Sequence, residues 1–154
     1  MPFLQNAGQK VNFLFALVAA LYLTLLTVDF VRYGGVVAPS WITAAFAIAL
    51  GGWIGCRRSE KPAAPRVFAV LAVVSAAAQI AIFCVAVPAY PVSAAQAKLA
   101  QANPGTSWTY AGSMEMTPRA NAFVEKGYVF TQSDDAGERV FFNPVSGEFF
   151  ALAQ

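Results

Sequence analysis

The sequence predicts a membrane α-helical protein: three transmembrane helices, then a small α+β extracytoplasmic domain ending in a three-stranded antiparallel meander. Three observations predict it. The chain of 154 residues is 58% hydrophobic and 12% charged, where a soluble domain averages roughly a quarter charged residues. The apolar excess is concentrated in three long runs before residue 90. After that point the composition becomes that of an ordinary soluble segment, with turn residues at regular intervals.

The first run, 11–31, is preceded by Lys10 and closes on Asp29 and Arg32. A helix rising 1.5 Å per residue needs about 20 apolar residues to cross a bilayer core. A cleaved signal peptide would have a shorter core and a small-residue cleavage site, and Thr27-Val28-Asp29-Phe30 offers none. The second run, 36–56, is entered through Gly34-Gly35 and Pro39-Ser40. Ser40 reads as an N-cap, so the regular helix is expected from Trp41. The third run, 67–87, lies between Arg66 and Pro88 and carries Gln79 as its strongly polar side chain.

These runs define a three-helix transmembrane domain over 1–90, a juxtamembrane spacer helix and linker over 91–106, and an outward-facing α+β domain over 107–154. The loop 57–66 holds Arg57, Arg58, Lys61 and Arg66 against Glu60. Short loops rich in Lys and Arg stay in the cytoplasm. The expected location is therefore a bacterial inner membrane, with the amino terminus cytoplasmic and the tail periplasmic or extracellular.

Within the membrane, Ala47, Gly51 and Gly55 recur every four residues and form a small-residue stripe of the kind that lets helices approach closely. Ala72 and Ala76 offer the same spacing on the third run, with Gln79 below them. A glutamine facing lipid would leave its amide unpaired at a cost of several kcal/mol, so Gln79 is expected to face another helix. The stripe partner lies in this chain or in a second copy, which leaves a homo-oligomer open. Cys56 and Cys84 fall near opposite ends of their runs, too far apart for a bond that requires Cα atoms within about 7 Å.

In the tail, 92–103 reads as a short helix stopped by Pro104-Gly105. Trp108, Tyr110, Met114 and Met116 suggest an extended segment broken at Ala111-Gly112. Thr117-Pro118 reads as a helix start, with the helix running to Lys126 and packing through Phe123. Strands are expected at 128–132, 138–142 and 148–152, joined by turns at 133–137 and 143–147. Phe141-Phe142 and Phe149-Phe150 put an aromatic ring on each face of the sheet, because neighbouring side chains alternate. One face can pack on the helix; the other is left for a partner.

The absent chemistry narrows the function. There is no histidine, which removes histidine acid–base catalysis, histidine metal ligation and Ser-His nucleophiles. There is no glycine-rich phosphate loop, no CxxC and no HExxH. A net charge of +2 is too small for nucleic acid. The expectation is a non-catalytic protein without cofactor or metal, held in the lipid bilayer. Its outward domain binds another membrane or periplasmic protein through Trp108, Tyr110, Phe141, Phe142, Phe149 and Phe150. Accessory subunits, assembly factors, exclusion proteins and immunity proteins share such a layout. The alternative is a small oligomeric pore or carrier built from the three helices.

Overall fold

The computed structural model describes residues 2–132 and 138–152, with side chains from residue 8 onward. The expected turn at 133–137 lies outside the described residues. The order is α1 (Pro2–Tyr33), α2 (Pro39–Arg58), α3 (Ala64–Ala86), α4 (Val92–Ala102), β1 (Trp108–Glu115), β2 (Lys126–Gln132), β3 (Arg139–Phe142) and β4 (Phe149–Leu152). Among the described residues, three helices are long and apolar enough to cross a membrane: Gly8–Tyr33 within α1, Pro39–Arg58 and Ala64–Ala86. The chain divides into two compact units, Met1–Leu26 with Pro39–Val85, and Thr27–Ala38 with Ala86–Gln154.

The first unit is a helix bundle. Val11 and Val18 of α1, Ala49 of α2, and Phe68 and Ala72 of α3 form its buried centre. Spacings of seven and four keep these side chains on one face of each helix. Aromatic rings join α1 to α2: Phe15 stacks on Trp53 at 4.8 Å, and Tyr22 on Phe46 at 4.6 Å. Trp53 Nε1–H donates to Asn12 Oδ1 at 3.2 Å. α2 begins at Pro39, two residues earlier than the N-cap reading of Ser40 places it.

The second unit is built on a four-stranded antiparallel sheet in the order β1-β2-β3-β4. The expected three strands gain β1, because the segment from Trp108 pairs with β2 along its length. The anticipated break at Ala111-Gly112 is a bulge. Tyr110 faces Phe130 and Gly112 faces Val129, leaving Ala111 as the extra residue.

No helix forms over 117–126. Asn121 Oδ1 accepts the N–H groups of both Phe123 and Val124 at 2.8 Å, which diverts the backbone into a turn. The chain then runs extended. Val124 bridges Val37, with Ala38 N–H donating to Phe123 O at 2.7 Å and Glu125 N–H to Val36 O at 3.3 Å. The residues before α2 are thus drawn into the sheet unit.

That unit has a mainly aromatic core of Trp108, Tyr128, Phe130 and Phe142, closed by Tyr33, Val36, Ala95 and Leu99. α4, read from sequence as a spacer, buries Ala95 and Leu99 completely. Gln96 Nε2–H also donates to the Trp108 carbonyl at 2.6 Å.

The loop between α1 and the extended segment is tied at Asp29, which is 6% exposed. Its Oδ1 accepts Val37 N–H at 3.3 Å, and its carbonyl accepts Gly35 N–H at 3.2 Å. Gly34 and Gly35 have φ of 62° and 68°, a region that favours glycine.

Candidate functional site

The sheet has two unlike faces. Register places Tyr128, Phe142 and Phe149 on one, and Gly127, Phe141 and Phe150 on the other. The first face is the core. The second carries a groove of about 470 Å³ between the end of β1 and the β3–β4 hairpin.

Its floor is Phe141, only 5% exposed. Phe150 stacks on Phe141 at 5.0 Å with 29° between the rings, and is itself 57% exposed. Met114 and Met116 form the opposite wall, and Glu148, on the same face as Phe150, supplies a carboxylate. Gly127 makes this floor possible. A Cβ there would collide with the Phe141 ring and lie 2.8 Å from the Phe142 carbonyl oxygen, so Phe141 lies flat across a position without a side chain.

The hairpin that presents Glu148 and Phe150 is locally well determined. Asn143 Oδ1 accepts from Val145 and Ser146 N–H at 2.9 and 3.2 Å, and Gly147 takes φ of 74°. This is the asparagine-and-glycine turn expected at 143–147.

β4 closes the sheet on one side. Asn143 N–H donates to Glu148 O at 2.8 Å, which makes that pair hydrogen-bonded. Pairs alternate along an antiparallel ladder, so Phe150 and Leu152 also turn their backbone groups toward β3. The N–H and C=O groups of Phe149 and Ala151 point away from it. The groove therefore lies beside a strand edge able to accept another strand.

Of the aromatic residues selected from sequence for partner binding, Phe150 is exposed and Phe141 floors the groove. Trp108 and Phe142 are core side chains at 4% and 0% exposure. Tyr110 and Phe149 are half-buried against that core. Tyr110 donates its hydroxyl to Gly34 O at 3.4 Å, and Phe149 stacks on Phe142 at 6.3 Å. The sequence reading does not single out Met114, Met116 or Glu148 for binding. The available signal was the Met114-x-Met116 alternation, which puts two flexible apolar side chains on one face of an extended segment.

Two phenols in this unit are perturbed. Burial raises Tyr128 well above its ordinary value, and the neighbouring Tyr110 and Tyr33 add to the shift. Burial also raises Tyr110. Both therefore stay neutral donors across the physiological range.

Comparison with protein families, with curated proteins and with solved structures finds no match. The groove and its edge strand are therefore the basis for a functional reading.

In the bundle, the predicted packing residues separate into two groups. Ala72, Ala76 and Gln79 face inward. Ser75 Oγ–H donates to the Ala45 carbonyl at 2.8 Å, and Gln79 Nε2–H donates to Ser75 Oγ at 3.1 Å. Ala47, Gly51 and Gly55 face outward, and a Cβ on either glycine would meet nothing within 4 Å. α2 instead packs through Ile42, Ala45 and Ala49. Its close approach is at Gly52, where a Cβ would lie 2.9 Å from Leu71 Cδ1.

Proposed function

We propose that this chain is a non-catalytic integral protein of a bacterial inner membrane, whose carboxyl-terminal sheet unit binds another protein outside the cytoplasm. The observation that carries the reading is Phe150. It is 57% exposed and stacked over a buried Phe141, at the rim of a groove that also holds the Glu148 carboxylate. An exposed aromatic backed by a second ring costs little entropy to fix, which suits an anchor at an interface. The occupant that fits is an extended, positively charged segment. Its backbone would pair with β4, its apolar side chains would enter beside Met114 and Phe150, and a cation would meet Glu148. Accessory subunits, assembly factors, exclusion proteins and immunity proteins are the roles compatible with such a layout.

The orientation follows from the basic loop between α2 and α3, which carries Arg57, Arg58, Lys61 and Arg66 and belongs in the cytoplasm under the positive-inside rule. The alternative of a pore or carrier finds little support in the bundle. Its centre is filled by Val11, Val18, Ala49, Phe68 and Ala72.

A photo-crosslinking residue in place of Phe150, in the full chain in cells, tests the proposal. The expected result is an adduct with one discrete protein. Phe150→Ser should abolish co-purification of that protein, and Glu148→Gln should weaken it most at low salt. Adducts only with a second copy would replace the reading with self-association. Adducts only with lipid would overturn it.

A further inference from the structure

At the loop end of the bundle, α3 carries an apolar groove on each side of Phe68. One, of about 300 Å³, is lined by Gly52, Gly55, Cys56 and Leu71, and includes Ser59 and Lys61 at the loop. The other, of about 260 Å³, is lined by Val11, Leu14 and Ala69, and includes Lys10 and Arg66. Each thus combines hydrocarbon walls with a cationic end. Arg57 and Arg58 add to the same end, and Glu60 is the one carboxylate between residues 57 and 66. Among the described residues none of these cations forms an ion pair with a carboxylate; the ion pair seen is Arg119 with Glu125, in the sheet unit. Ser59 Oγ accepts Lys61 N–H at 3.2 Å, which holds the loop and leaves the hydroxyl proton to be donated outward. Gly55 meets no neighbour in the bundle, yet it lines the first groove, where a larger side chain would fill the space.

We propose that this end of the bundle is a binding site for an anionic phospholipid. Its phosphate is held by Lys61 and the Ser59 hydroxyl, and an acyl chain lies in the groove over Gly55 and Leu71. Lys10 and Arg66 offer a second phosphate position beside the groove on the other side of Phe68. The charge favours phosphate, since ammonium and guanidinium donors to an anionic oxygen make the stronger class of hydrogen bond. The apolar walls favour a lipid over a free anion, because they would bury methylene groups that inorganic phosphate lacks. Basic pockets between membrane helices are a general means of anionic headgroup recognition.

The test is native mass spectrometry of the full chain in a neutral detergent, titrated separately with phosphatidylglycerol, phosphatidylcholine and inorganic phosphate. Phosphatidylglycerol should bind tightest. The Lys61→Gln, Arg66→Gln double variant should weaken it by about tenfold, the loss of roughly one charge-assisted contact. Gly55→Leu should lower retention with every cation in place. Both changes are at exposed positions, and an unchanged melting temperature without lipid shows that the bundle is intact. Equal binding of phosphatidylcholine would overturn the headgroup assignment. Equal binding of inorganic phosphate, or full retention by Gly55→Leu, would overturn the acyl groove. Should Gly55→Leu lower the melting temperature, Gly55→Ala in the same titration decides.

Discussion

Tyr128 is fully buried, and its hydroxyl donates to the Tyr90 carbonyl at 3.0 Å. Burial keeps the phenol neutral in the folded protein, whereas the unfolded chain ionises near its ordinary value of 10.0. Below that pH both states hold the proton and stability does not change on this account. Above it the unfolded state sheds a proton that the folded state retains, so stability falls with rising pH. Tyr128→Phe should cost about 1 kcal/mol at neutral pH, for one lost hydrogen bond. It should also make the decline above pH 10 shallower, with Tyr110 supplying what remains. Denaturant titrations of the full chain in detergent, followed by near-ultraviolet circular dichroism, measure both effects. An unaltered alkaline slope would assign the decline to other groups. At this scale the sequence shows that an aromatic ring lies on each face of the sheet. It does not show which ring is core, because that depends on what covers each face. The cover turned out to be α4 and residues 33–37, distant in sequence from the strands.

The helices show how composition hides a contact surface. Ala47, Gly51 and Gly55 have the right spacing for close packing, but the contact runs through Ala45, Ala49 and Gly52, on another face of α2. In so alanine-rich a helix nearly every face offers small residues, and periodicity alone does not rank them. The polar side chain was the better guide. Gln79 faces inward and reaches Ser75. Its Oε1 is buried without a hydrogen-bond partner, a state that costs about 1–3 kcal/mol. The bond to Ser75 returns about 0.6 kcal/mol, the average for such contacts in membranes. Gln79→Met, which keeps the volume and removes both amide groups, should therefore make the bundle about 0.4–2.4 kcal/mol more stable. Unfolding in mixed micelles against a denaturing detergent measures it, and a loss above about 1 kcal/mol would reveal a donor on Oε1. The helix expected after Thr117-Pro118 failed for a local reason. The start signal was present, but Asn121 offered the backbone a competing turn and Val36–Ala38 offered it an extended partner.

For the whole molecule, the three apolar helices were legible from run length, and the β2–β4 strands from their turn residues. The division into units was not. A boundary at residue 90 follows hydropathy, yet residues 27–38 belong with the sheet and complete its core through Tyr33 and Val36. Residues 91–154 expressed alone should therefore lack a cooperative thermal transition and should bind a hydrophobic dye. A sharp transition in that fragment would show that the sheet and α4 suffice.

The pairing of Val37 with Val124 also bears on how the protein is made. Val37 is synthesised early, and its partner emerges only after two more long apolar helices. If the three apolar helices each cross the bilayer, both segments end on the same side of it, but they reach it at different times. Until the second arrives, Tyr33, Val36 and Val37 have no partner, so this unit completes its core only after translation of the third segment. A ribosome stalled before β4 would hold a chain whose groove is not yet formed, because Glu148 and Phe150 line it.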